Sequence, residues 1–148
     1  MKQTDYLTKQ IIIVSTVTII SFPLIILLDS LVSRFWVAYV EELLGRFIPL
    51  LLTYILLPRG TLGDRVTVGI VCGMTFGILE IWIKVIQLGY FTPLMIVPLS
   101  FVHCVNGIIA STIIGESIEN RWWTLIPLAY ILCSFWHALY NTGLVGFV

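Results

Sequence analysis

Apolar runs close to 20 residues long recur along this chain, and that recurrence limits its folds more than any other feature. About 20 apolar residues, rising about 1.5 Å each as a helix, match the roughly 30 Å hydrocarbon core of a bilayer. The runs predict five helices, at about residues 11–28, 35–57, 66–88, 92–115 and 122–145. The first, "IIIVSTVTIISFPLIILL", carries Pro23 as an expected kink. It is too long for a signal peptide and lacks a small-residue cleavage site, so it is expected to be retained. The fold class that follows is all-α, a polytopic transmembrane helix bundle built as one domain. Composition agrees: of 148 residues, 59% are hydrophobic and 11% charged, too little charge for the surface of a soluble domain.

Eight acids balance eight bases, which leaves no basic footprint for nucleic acid; the lipid bilayer is the expected partner. The three cysteines, Cys72, Cys104 and Cys133, lie inside apolar runs without CxxC spacing and read as packing residues. Short connections force neighbouring helices to run antiparallel. Lys2, Lys9, Arg59, Arg65 and Arg121 then flank the side that holds the N-terminus, against Arg34 and Lys84 on the other. The positive-inside rule puts the N-terminus in the cytoplasm of a multi-pass cell-membrane protein.

Against this background the ionisable residues inside the spans stand out. The second run, "FWVAYVEELLGRFIPLLLTYILL", holds Glu41, Glu42 and Arg46. The third holds Glu80 and Lys84, the fourth His103 followed by Asn106, and the fifth His137 and Asn141; the first holds none. Each charge costs about 2.5–3.5 kcal/mol near mid-membrane. Glu42 with Arg46, and Glu80 with Lys84, are spaced to meet on one helix face. Such pairs alone would be glue between helices, but that reading leaves Glu41, His103 and His137 without a purpose. Depth counted from the side opposite the N-terminus is roughly 10 Å for Glu41, 12 Å for Glu80, 16 Å for His103 and 15 Å for His137. One polar layer, in the half away from the cytoplasm, is what a buried active site or a proton relay requires.

Two glutamates, two histidines and an asparagine in a water-poor pocket suit hydrolysis, with a carboxylate as general base. His137 and Asn141, one turn apart, are suited to donate hydrogen bonds to an oxyanion. No GxSxG elbow supports a serine nucleophile, and Cys104 points to a different helix face from His103. A divalent metal such as zinc is an open alternative, held by His103, His137 and either Glu41 or Glu80. No HExxH spacing accompanies it.

Four motifs in order on successive helices resemble a known superfamily. They are "VEELLGR", "FGILE" (Phe76 to Glu80), "HCVNG" and "HALYN" (His137 to Asn141). The chain resembles, over about residues 36 to 145, the membrane-embedded proteases that join the PrsW family with the CAAX prenyl endopeptidases and the Abi (CPBP) proteins. The resemblance implies that Glu41 activates water and that His103, His137 and Asn141 complete the site, with Glu42 and Glu80 beside them. Glu80 stands where PrsW-like members carry an acid, whereas Arg46 fits the CAAX-type EExxxR pattern. The PrsW-like assignment is favoured by "FGILE", by the histidine–glycine pair and by a site nearer the outer face. Arg46 and Lys84 are read as structural or substrate-orienting residues. The expected substrate is a membrane-protein or lipid-anchored peptide. The alternatives are a CAAX-type prenyl-protein peptidase, an Abi immunity-type protein, or a small proton- or ion-coupled transporter.

Among the smaller features, Gly73 and Gly77 form a small-xxx-small pattern expected to pack the third helix closely and so to position Glu80. Trp122, Trp123 and Tyr90 read as interfacial anchors, and Pro58 with Gly60 as a helix stop.

Overall fold

A computed structural model describes residues 3–89 and 96–142. Its helices are α1 (Gln3–Asp29), α2 (Arg34–Glu42), α3 (Ile48–Leu56), α4 (Leu62–Leu88), α5 (Ile96–Asn120) and α6 (Leu125–Asn141), with a π-turn, Leu43–Phe47, joining α2 to α3. Because α2, the π-turn and α3 run on as one element, the described residues form five continuous helices. Three of them, Thr4–Asp29, Leu62–Ile86 and Ser100–Asn120, are long and apolar enough to cross a membrane. The outward faces fit lipid: Ile20 is 71% exposed, Ile86 71% and Phe101 66%, and a bilayer would cover apolar side chains that water does not favour.

Helix ends follow local chemistry. Thr61 and Asp64 form a reciprocal capping box at the start of α4, and Gly89, at φ 72°, closes its end in the left-handed conformation. The stop expected at Pro58 and Gly60 is where α3 gives way to loop. Two boundaries differ from the sequence expectation. The segment "ESIEN" does not close the fourth helix but continues it, because Glu116 and Glu119 reach across to pair with Arg65 of α4. Arg121, at φ 61°, then ends it, with the Trp122 amide donating to the Ser117 carbonyl at 2.8 Å. The first helix begins seven or eight residues earlier than hydropathy suggests. Its added turns are tied down by Gln10, whose amide donates to the Leu57 and Arg59 carbonyls at 2.9 and 3.0 Å. Trp122 and Trp123 are exposed beside the end of α5, as anchors should be; Tyr90, the start of the fourth expected span and the end of the fifth lie outside the described residues.

The most intimate seam joins α4 to α5, and small residues make it possible. A methyl group on Gly73 would lie 2.3 Å from the His103 carbonyl oxygen, and one on Gly107 would lie 2.2 Å from that of Gly69. The two backbones therefore touch directly, as close helix crossings in membranes often do. Below this contact Val14, Phe47, Leu50, Tyr54, Val68 and Ile114 fill an apolar core, and Phe22, Ile25 and Phe76 form a smaller one toward the other end of the bundle.

Replacing Gly107 by valine should lower the thermal unfolding midpoint in detergent, by the equivalent of about 1–3 kcal/mol of overpacking. Gly63→Ala should raise it slightly, because the added carbon meets only the Thr61 hydroxyl at 3.7 Å and alanine is the better helix former. Equal midpoints for the two variants would contradict the close seam.

Candidate functional site

The polar residues of the spans come together, and each is delivered by a recognisable local device. Glu41 and Glu42 are neighbours on α2 and so diverge by about 100° around the helix. Glu42 turns inward and is fully buried with Arg46, its ion-pair partner one turn on. The residue four positions after Gly45 is Pro49, which has no N–H, so the Gly45 carbonyl is open to other donors. Thr18 of α1 donates to that oxygen at 3.3 Å, and Cys72 of α4 approaches it at 3.7 Å. Gly45 itself is pressed on the Phe76 ring, 2.5 Å from where a Cβ would sit. Arg46 also stacks over Phe76, with its Cζ 5.2 Å from the ring centre.

From Arg46 a row of contacts crosses three elements. Its Nη2 meets Nδ1 of His103 on α5. The other ring nitrogen of His103, Nε2, meets Oε2 of Glu80 on α4. Glu80 Oε1 in turn pairs with the half-buried Lys84. Asn106, one turn along from His103, donates to Glu42 Oε1 at 2.9 Å and to the Cys133 carbonyl at 3.3 Å. Both i,i+4 pairs expected from sequence are thus formed. A Cβ on Gly77 would lie 3.2 Å from Cδ2 of the His103 ring. The glycines of α4 therefore set the place of His103, rather than acting on Glu80 alone.

A second group sits beside this row. His137 of α6 is fully buried, with Nδ1 3.0 Å from Glu42 Oε1 and Nε2 3.5 Å from Glu41 Oε2. Among the described residues neither nitrogen has an aligned hydrogen bond. Asn141, one turn further, donates to the same Glu41 oxygen at 3.4 Å. The rings of His103 and His137 meet edge to face, 5.1 Å between centres. Glu41 is only 6% exposed, and what exposure it has is to a cavity of about 250 Å³. Asp29, Glu80, Phe22, Ile25 and Ile83 share the wall.

The cavity corrects one expectation. The first helix does contribute an ionisable group: Asp29, its last residue, lines the wall with one buried carboxylate oxygen that lacks a partner among the described residues. Counting apolar residues ended that helix at Leu28. The acid in "LLDSL" was the available signal, because one more residue of helix brings it to the wall of the cavity that Glu41 lines.

One ligand atom each from Glu80, His103 and His137 falls within a 4.8 Å group that could hold a metal ion. The fit is imperfect, because His103 already spends both ring nitrogens, on Arg46 and on Glu80. His137 is the member with nitrogens to spare.

No protein-family model matches the chain, and no curated protein or solved structure matches it either. Fold and site define the class: an all-α membrane helix bundle with a buried acid–imidazole centre drawn from every helix.

The two adjacent glutamates should part company in stability. Glu42→Gln leaves Arg46 buried without its counterion and should cost about 3–5 kcal/mol. Glu41→Gln, at the cavity wall, should change stability by less than about 1 kcal/mol. Denaturant titration in mixed micelles reads both, and a reversed order would contradict the division of roles.

Proposed function

We propose that the protein is an intramembrane endopeptidase, PrsW-like in pattern, that hydrolyses a peptide bond of a membrane-associated or lipid-anchored substrate. The observation that carries the reading is the position of Glu41. It is a buried carboxylate at a cavity wall, close to His137 and Asn141, whereas Glu42 and Glu80 have Arg46 and Lys84 as countercharges. A carboxylate so placed is suited to take a proton from a water that enters the cavity. The oxygen of that water bonds to the substrate carbonyl carbon, and the carbonyl oxygen becomes an oxyanion. An N–H of Asn141 and the ring N–H of His137 are placed to stabilise it. Collapse breaks the carbon–nitrogen bond, and the proton held by Glu41 passes to the leaving amine.

Position in the bundle adds to the case. Glu41 lies about 10 Å from the start of α2, and Glu80 about 12 Å from the end of α4. The cavity also reaches Asp29 and Ser30 at the end of α1. A peptide bond near the membrane surface can reach that depth if the substrate helix unwinds locally. With the N-terminus cytoplasmic, as the flanking bases indicate, the mouth faces outward. A CAAX-type prenyl-protein peptidase would use the same residues with a cytosolic mouth. A proton-coupled transporter would pass protons along the layer, but Arg46, which keeps its protons, stands between Glu42 and His103.

Membranes from cells expressing the wild type should contain new substrate N-termini, counted by mass spectrometry. Those termini should fall at least about 100-fold in Glu41→Gln and His137→Ala variants that still insert. Cleavage persisting in both variants would sink the assignment. For orientation, a Ser30→Cys variant with the native cysteines replaced should react in intact cells with a membrane-impermeant maleimide, and Thr61→Cys should not. The reverse pattern would favour the cytosolic, CAAX-type alternative.

A further inference from the structure

We propose that Arg46 is a positioning residue that fixes His103 as a neutral imidazole protonated on Nε2, so that His103 serves as a hydrogen-bond donor to Glu80 and neither exchanges a proton in the reaction nor ligates a metal. Donor counting assigns the hydrogen. A guanidinium offers five N–H groups and accepts nothing. Its Nη2 meets His103 Nδ1, so Nδ1 presents its lone pair. An imidazolium, with both nitrogens protonated, would set two donors against each other. A neutral imidazole must carry its one hydrogen somewhere, and only Nε2 remains. That hydrogen points at Glu80 Oε2.

The packing holds this choice in place. His103 is fully buried, pinned edge-on by Phe76 at 5.0 Å and by His137 at 5.1 Å between ring centres. Gly77 faces a third side, where even a Cβ would crowd the ring. Arg46 is anchored in its own right by Glu42.

Metal-bound histidines ordinarily give their second N–H to a carboxylate, a carbonyl or a water. If Nε2 of His103 took a metal, its hydrogen would move to Nδ1 and face the donor-only guanidinium. The same conflict arises if Nδ1 accepts a proton, because the imidazolium then turns an N–H toward the guanidinium. The row Glu42–Arg46–His103–Glu80–Lys84 therefore contains two carboxylates, two cations and one neutral ring, and is charge-balanced as it stands. It fixes the Glu80 carboxylate at both oxygens and leaves Glu41 and His137 as the pair free to change protonation. That catalytic consequence rests on the peptidase reading above, whereas the tautomer does not.

The chain has two histidines, so nitrogen-15 NMR of histidine-labelled protein in lipid nanodiscs reads the tautomer directly. A His137→Gln variant assigns the remaining ring. The expected spectrum at neutral pH shows His103 with a protonated Nε2 and a bare Nδ1, unchanged by added zinc. In Arg46→Gln, whose amide oxygen can accept from Nδ1 while Glu80 still accepts from Nε2, a doubly protonated ring should appear. In Arg46→Lys the single form should persist. A protonated Nδ1 in the wild type, or a zinc-dependent shift at Nε2, overturns the proposal even if the variants fail to fold. Function gives a separate readout. Gln at position 103 can accept from Arg46 and donate to Glu80, so His103→Gln should keep cleavage within about tenfold of wild type, and His103→Ala should not. A loss of about 100-fold or more in His103→Gln, the scale of a missing general acid or base, would overturn it. A correct tautomer with no cleavage in any form would refute the peptidase reading and leave Arg46 in its positioning role.

Discussion

Everything in this bundle turns on the burial of Glu42 with Arg46. Each charge costs about 2.5–3.5 kcal/mol to bring near the centre of a membrane, and here two of them have no exposure at all. Nothing but partners can offset that, and the partners come from two further helices. Asn106 of α5 donates to Glu42, His103 of α5 accepts from Arg46, and His137 of α6 closes on Glu42 from the far side. The pair therefore dictates which faces of α5 and α6 turn inward. Leaving any of these groups unpaired in a low-dielectric interior would cost more than the contact contributes, so the network is closely specified.

Such a network needs backbones that approach closely, and the glycines supply the space. His103 can reach both Arg46 and Glu80 because α5 lies directly on α4 at Gly69 and Gly73. A larger residue at either position would push the imidazole away from one partner or the other. The π-turn does similar work in the second helix. Wide turns of this kind occur often at functional sites. This one carries Arg46 against Phe76 and His103, and Thr18 donates to the neighbouring Gly45 carbonyl, which Pro49 cannot serve.

Much of this was legible in the sequence, and the rest was hidden for physical reasons. Long apolar runs fixed the number of helices, because burying a backbone in lipid admits few alternatives. The i,i+4 spacing of Glu42 with Arg46 and of Glu80 with Lys84 announced both ion pairs, and equal depth announced the shared layer. Asp29 was missed because hydropathy stops counting at an acid, although the helix continues through it. The extension of α5 through "ESIEN" was missed for the same reason, since its acids are paired with Arg65 only in three dimensions. Gly69 and Gly107 form a contact between two helices, which no pattern within either helix reveals. Donor directions along the row from Arg46 to Lys84 needed coordinates.

What distinguishes Glu41 from Glu42 is a single step along α2, about 100° of rotation. One carboxylate is held inside a closed network and the other looks into a cavity beside an imidazole that has no aligned partner. That asymmetry is the reason for assigning the chemistry to Glu41 and the scaffold to Glu42. The most direct measurement of it is solvent-oxygen incorporation. Purified protein is added, in water enriched in oxygen-18, to membranes from cells that lack it. The account predicts new peptide C-termini that carry a solvent oxygen in their carboxylates. An absence of new termini, with the protein inserted and conducting protons across liposomes, would contradict it.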